Sequence, residues 1–362
     1  MKFLPHAFRS MSVTYCVSDV IVVALIATVV AVWSAIAGGS VSLLTLLACQ
    51  VVFFSFYLVG SLMAGWNSLS AGVLFDLPLR LLVGYIAINT ALLVLAWLSP
   101  LGIITNFAVL MAIALLLLFA SQARRHQPSN SASLWVVAIS LIATTLWCQD
   151  SIRPISEQGN VVVMKPWVDG FYHAVHIRSF GASHGASSLE DFRMSGVPAR
   201  LYHYGVYLTP ALIKQASGID SYTAFAGILS PVGVFFTGLA AYSFFGTLWG
   251  AWPGVAAAVA LLSFPDGTQQ GIANTFMSYH WLTQISPSAT YGLAVAAVAW
   301  LFVLRGREAP CRTSDSARRW PTPVSASRTL PAPPRSTPRP SSAGSAGACR
   351  TRATVGPSPS CY

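Results

Sequence analysis

The sequence predicts an all-α, polytopic helical membrane protein with about eight transmembrane helices, a large outer loop bearing amphipathic helices, and a disordered C-terminal tail. Three observations lead there. Hydrophobic residues fill 54% of the 362 positions and charged residues only 9%, with a mean hydropathy of +0.62, whereas soluble domains carry about 25% charged residues. The apolar residues gather in runs of roughly 20, the length a helix needs to cross a hydrocarbon core about 30 Å thick. Those runs are continuous rather than alternating in ten-residue strands. Of the two architectures that satisfy their backbone inside lipid, the helix therefore fits and the closed barrel does not.

In chain order the expected spans cover residues 20–37, 41–64, 79–98, 101–120, 134–147, 221–245, 251–264 and 288–304. The fifth and seventh are short. The first run ends in "AIAGG", which looks like a small-residue cleavage site. Nineteen residues, Asp19 among them, precede the apolar stretch, so a retained anchor is expected rather than a cleaved signal.

Lys and Arg in short loops prefer the cytoplasm. Lys2 and Arg9 set the N-terminus inside. Counting crossings then puts Arg80, the pair Arg124 and Arg125, and the pair Arg305 and Arg307 inside as well. The same count places the two long polar loops, residues 148–220 and 265–287, together on the outer side. The expected address is a membrane, by default the bacterial inner membrane.

From Ala309 the composition changes. Residues 309–362 hold ten of the 22 Pro and eight of the 21 basic residues, all Arg, with no Ile, Phe, Met, Lys, Glu, Gln, Asn or His. Such a segment cannot bury a core and is expected to be disordered. Its vocabulary of Arg, Pro, Ala, Ser, Thr and Gly is what GC-rich DNA encodes when read out of frame. A frameshift just after Leu304 is the reading; a genuine Pro-rich cytoplasmic tail is the alternative. Residues 1–308 carry 13 basic and 10 acidic residues, whereas the tail carries eight Arg and one Asp. Most of the formal charge of +10 thus belongs to the tail and gives no argument for nucleic-acid binding. The domains expected are a four-helix membrane module (1–133), a membrane region with the outer loops (134–308) and the tail (309–362).

Cys16, Cys49 and Cys148 lie far apart, and Cys311, Cys349 and Cys361 fall in the tail. No CxxC is present, so neither a zinc ribbon nor a thioredoxin-like site is indicated. Within the spans only Gln50 and Asn89 are polar and deep, while Asp19 and Arg80 sit at span ends, where they can reach the interface. Coupled transporters usually carry ionisable residues inside the membrane, so a transporter is disfavoured. There is no HExxH motif and no paired nucleophile and base, which argues against an intramembrane protease.

Polar chemistry concentrates instead in "KPWVDGFYHAVHIRSFGASHG", residues 165–185. A helix over 168–180, after Pro166, sets Asp169, His173 and His176 at i, i+4 and i+7, within an arc of about 60°. Phe171, Tyr172 and Val175 fall on other faces, which makes an amphipathic helix suited to the outer membrane surface. Two chemistries suit the Asp/His face. The three side chains can hold a divalent ion, with Mn, Zn or Fe preferred over Mg by imidazole. Alternatively, Asp169 acts as a general base on an acceptor hydroxyl with no metal involved. The bland alternative is an interfacial helix whose imidazoles only hydrogen-bond or face water.

Further along, Arg178, Arg193 and Arg200 can grip a lipid phosphate through their planar forks, unless they bind lipid headgroups or pair with Glu190 and Asp191. His203 and Tyr204 lie in "YHYGVYLTPAL", just before the chain re-enters the membrane. The second outer loop offers Asp266, Gln269, Gln270, His280 and Trp281, residue types that suit sugar hydroxyls and ring faces and also suit ordinary loops.

"WVDGFYHAVHI", "YHYGVYLTPAL", the apolar stretch "SYTAFAGILSPVGVFFTGLAAYSFFGTLWG" and the hydrophobic pair after it resemble the membrane glycosyltransferases of the GT-C superfamily. The resemblance spans roughly residues 134–304 and rests on loop layout. It implies transfer of a sugar from a polyprenyl-phosphate carrier to a glycan or lipid acceptor on the outer side of the membrane. It also implies an outer-loop acidic residue, here Asp169, as base or metal ligand, with His173 and His176 completing the site. Two features depart from the family: the loop normally follows the first span, whereas four additional spans precede it here, and the family continues with further spans. A frameshifted product would be truncated and inactive even where intact relatives are enzymes. Polysaccharide polymerases and O-antigen ligases, with Arg and His in a large outer loop, are an alternative within the same envelope chemistry. A non-enzymatic membrane protein or transporter is another.

Overall fold

Each apolar run becomes a helix in the computed structural model, which describes residues 17–65, 73–120, 129–153, 155–159, 161–164, 169–182, 203–263 and 286–317. The first five helices are α1 (Val17–Gly38), α2 (Leu43–Gly65), α3 (Leu77–Leu98), α4 (Ile103–Ala120) and α5 (Ser131–Trp147). A turn of helix, α6 (Gln149–Ile152), leads to the strands β1 (Ile155–Gln158) and β2 (Val161–Met164), then to α7 (Asp169–Ala182) and α8 (Gly205–Ser217). One continuous rod follows, made of α9 (Ser221–Ala224), a π-helical turn (Phe225–Leu229) and α10 (Ser230–Trp249). The last helices are α11 (Ala251–Ser263) and α12 (Pro287–Ala317).

Five of these helices are long and apolar enough to cross a membrane: α1, α2, α3, the rod over Ser221–Trp249, and Pro287–Leu304 of α12. The apolar helices α4, α5 and α11 are shorter. The rod is the axis of the molecule, its apolar window being wholly buried, with α3, α5 and α11 packed along α10 and α1 against the π-turn. By contrast α4 exposes Ile113, Leu115, Leu116, Leu117 and Phe119. Large apolar side chains exposed in such continuity mark a surface that meets something apolar, here the lipid.

Close approach of α2 and α3 depends on two glycines. A Cβ on Gly60 would lie 1.9 Å from the Arg80 carbonyl oxygen, and one on Gly84 1.8 Å from that of Phe56. Without side chains there, the two backbones touch, which is how helices associate where no hydrophobic force separates lipid from protein. Just inward of this contact Tyr85 packs on Phe236 and Tyr291, with ring centroids 4.9 and 5.4 Å apart, tying α3 to α10 and α12.

The π-turn has a local cause. Pro231 has no N–H to give to the carbonyl four residues back, so the helix loosens ahead of it. Side chains from other helices satisfy carbonyls of the widened turn: Ser151 Oγ donates to Ala226 O at 3.2 Å and Tyr291 Oη to Leu229 O at 2.8 Å. Such outside donors are what an irregular turn needs in an apolar environment.

Side-chain contacts fix the direction of the helices. Asp19 at the start of α1, Arg80 at the start of α3, Asn130 before α5 and Tyr242 near the end of α10 gather at one end of the bundle. At the opposite end, Trp147 Nε1 at the close of α5 donates to Leu262 O at the close of α11, 2.6 Å away. Residues Met1–Ser316 group as one compact unit, in which helices from before and after residue 133 interleave. Of residues 317–362 only Ala317 is described.

One expectation holds and two need correction. The described residues are all-α, as expected, apart from one short antiparallel hairpin, β1–β2, whose register pairs Gln158 with Val161. Gly159 turns it with φ of +63°, and the run Val161–Val163 favours extended backbone. Disorder does not begin at Ala309, because α12 continues as helix to Ala317; the tail beyond lies outside the described residues. Third, Asp19 and Arg80 do not reach out to the interface. They are 0% and 3% exposed and pair with each other at 3.2 Å.

Candidate functional site

The helix expected over 168–180 is present as Asp169–Ala182, but it lies with its histidine face inward. His173 and His176 are buried, as are Ala174, Ile177 and Phe180, whereas Phe171 and Arg178 are exposed. The burying stripe is 173, 174, 176, 177 and 180, a helical spacing that packs α7 onto α8 and α9. Imidazole accepts this position because its ring stacks like an aromatic and its nitrogens find partners. His173 lies parallel to Phe225, with centroids 5.5 Å apart, and its Nδ1 is 2.8 Å from Tyr207 Oη. His176 sits among Tyr172, Tyr204 and Tyr207, at 4.5, 5.6 and 5.1 Å.

Asp169 opens α7 and is half-buried. Among the described residues no three His, Cys, Asp or Glu side chains come together to hold a metal ion, so the divalent-ion reading of Asp169, His173 and His176 finds no assembled ligand set. Tyr204 is buried at the start of α8. His203, beside it, is largely exposed, and the partial burial it retains lowers its imidazole from the ordinary range. Arg193, Arg200, Asp266 and His280 lie outside the described residues. The structure thus brings His173, His176 and Tyr204 into one aromatic layer, with Asp169 in the first turn of the same helix.

Below this layer Asn89 joins α3 to α8. It donates to Tyr85 O at 2.9 Å and accepts from Thr209 Oγ1 at 2.9 Å. Gln50, the other deep polar residue, donates to Ala24 O and Thr28 Oγ1, both at 3.0 Å.

Sequence reasoning missed the polar centre at the other end. Arg80 donates through Nη1 to Asp19 and through Nε to Phe75 O at 3.1 Å, with Tyr57 beside it. Asp76, 6% exposed, accepts from Tyr242 Oη at 2.7 Å, and Asn130 Oδ1 lies 3.3 Å from the same hydroxyl. Oδ1 of Asp19 and Oδ1 of Asp76 are buried without a hydrogen-bond partner among the described residues. The guanidinium pairs with Asp19, and a second buried carboxyl, Asp76, lies one helical turn before Arg80, so this end is an enclosed ionic cluster rather than a wet rim. Asp19 and Arg80 are 61 residues apart, and each stands at the edge of its apolar run; no local pattern links them.

No known family model matches the chain, and neither the curated proteins nor the solved structures contain a significant match to it.

Proposed function

We propose that the chain is an integral membrane glycosyltransferase that moves a sugar from a polyprenyl-phosphate carrier to a cell-envelope acceptor. In this proposal all eight apolar helices span the bilayer, the N-terminus is cytoplasmic and residues 148–220 lie outside. The observation that carries the reading is the placement of Asp169. It is a half-exposed carboxylate at the head of a helix that is anchored by a His/Tyr layer, at the end of the bundle remote from the ionic cluster. A base must be reachable by its substrate yet held in a fixed position. The layer below Asp169 supplies the second property, because His173 and His176 fix the helix through Tyr207, Phe225 and Tyr204. Their role becomes positional, and Asp169 alone is the base. Arg178, exposed on the same helix, is the described candidate for a phosphate contact.

The test is transfer from a synthetic polyprenyl-phosphate sugar in proteoliposomes. Asp169→Ala is expected to abolish transfer with membrane insertion unchanged; normal transfer by that variant sinks the assignment.

The buried ionic cluster favours a second reading. Ionisable groups enclosed within a membrane domain are costly and mark solute or proton pathways, so the argument that set a transporter aside loses its premise. A transporter makes Asp19, Arg80 and Asp76 indispensable and leaves Asp169 replaceable. A polymerase or ligase instead places the requirement on Arg193, Arg200 and the other loop Arg and His residues.

A further inference from the structure

At the end of the bundle that carries α7, a cleft of about 240 Å³ opens between the close of α1, the start of α2 and the α8–α9 junction. Six of its ten lining residues carry a hydroxyl or a carboxylate: Ser34, Ser40, Ser42, Thr45, Asp220 and Thr223. None of the ten is Lys, Arg, His or aromatic. A polar wall of this kind is out of keeping with a chain in which charged residues make up only 9%.

The hydrogen bonding of the wall is incomplete. Asp220 Oδ1 accepts from the backbone N–H groups of Tyr222 and Thr223, both at 2.9 Å, and Oδ2 accepts from Thr223 Oγ1. A carboxylate has roughly four acceptor sites, so these three bonds fix the group and leave it room for another donor. Partial burial works against its charge, but the hydrogen bonds from Thr223 and Tyr222 outweigh that and hold its carboxyl below the usual range. Two further wall residues, Ser34 and Thr45, are 2% and 4% exposed, and neither hydroxyl has a hydrogen-bond partner among the described residues. Buried hydroxyls left unpaired ask for an explanation, and a ligand rich in hydroxyls supplies one.

The floor is rigid as well as polar. The π-turn lies against Ser34: a Cβ on Gly227 would be 2.5 Å from Ser34 Cα, so α1 and the rod meet backbone to backbone behind the cleft. Phe171 of α7 packs on Tyr222, ring centroids 5.1 Å apart, which sets the turn that carries Asp169 beside this wall.

We propose that this cleft binds a neutral polyhydroxyl group of about one sugar ring. A fixed carboxylate with no cation in the wall disfavours anions. One carboxylate among the described residues, with no assembled metal-binding group, does not make a cation site. The volume falls just below the range of about 300–1,000 Å³ that holds drug-sized ligands. The inference rests on the cleft alone and does not require Asp169 to be catalytic.

Saturation-transfer-difference NMR on the full chain, in lipid nanodiscs free of sugar-headed detergent, tests it with D-glucose, D-mannose, D-galactose and glycerol as probes and sulfate as the anionic control. At least one sugar is expected to bind saturably. Asp220→Asn keeps a good helix cap and Thr45→Val keeps the shape; each is expected to weaken that sugar by about tenfold. Three results would overturn the proposal: no probe binding to the wild-type protein, binding that survives both substitutions unaltered, or sulfate binding in place of the sugars.

Discussion

The two ends of the helical bundle solve the burial of polar groups in opposite ways. At the Arg80 end a carboxylate and a guanidinium are enclosed and paired with each other; at the α7 end the carboxylates Asp169 and Asp220 reach the surface, and unpaired hydroxyls line an open cleft. An enclosed ion pair recovers its desolvation cost only through its partner. On the proposed reading the ion pair holds helices in register, whereas the open hydroxyls beside the cleft serve recognition. The proposal thus assigns structure to one end and chemistry to the other.

That division can be broken most forcefully at Arg80. Arg80→Ala strands Asp19, which is fully buried, and is expected to cost about 3–5 kcal/mol, read as a collapse of the thermal midpoint in detergent. Asp19→Asn with Arg80→Met is expected to recover most of the loss, because replacing both charges is often neutral. Next in size is Gly84→Ala. The new Cβ has nowhere to go but into the Phe56 carbonyl, and forcing α2 and α3 apart is expected to cost about 1–3 kcal/mol, measured the same way.

A smaller change sharpens the picture of the α7 layer. His173→Phe retains the stack on Phe225 but deprives Tyr207 Oη of its partner at 2.8 Å. A loss of about 0.5–1.5 kcal/mol is expected, with transfer reduced in proportion to folded protein rather than abolished. A histidine that ligates a metal or shuttles a proton would instead lose all activity in this variant at full stability.

The smallest effect concerns pH. Asp220 has its carboxyl held below the ordinary value of about 3.9, so its capping contribution is fully present above that value and is lost as pH falls through its lower folded pKa. Thermal midpoints measured from pH 7 downward are expected to fall in the acid range for the wild type. In Asp220→Asn, which cannot titrate, that part of the acid slope disappears.

How much of this was legible beforehand follows from the range of each signal. All eight apolar runs form helices, and apart from the close of α12, which runs on to Ala317, their ends shift by only a few residues, because hydropathy is a local property summed over many positions. The period of Asp169, His173 and His176 correctly grouped them on one helix. It could not say whether that face turns to water or to protein, since imidazole suits both. The hairpin carried a readable signal, a Gly159–Asn160 pair ahead of a valine run, that the surrounding helical pattern obscured. The π-turn was foreshadowed by Pro231 in the middle of an apolar stretch. The Asp19–Arg80 pair, the Asp76–Tyr242 bond and the hydroxyl cleft were beyond reach, being made by residues 61, 166 and up to roughly 190 positions apart in the chain.

One side-by-side measurement tests the division of labour directly: sugar transfer from a polyprenyl-phosphate donor in proteoliposomes by the wild type, Asp169→Ala, and the charge-free pair Asp19→Asn with Arg80→Met. The account predicts transfer by the wild type and the charge-free pair and none by Asp169→Ala. Transfer that persists in Asp169→Ala and vanishes in the folded, charge-free protein would contradict it and move the chemistry to the ionic end.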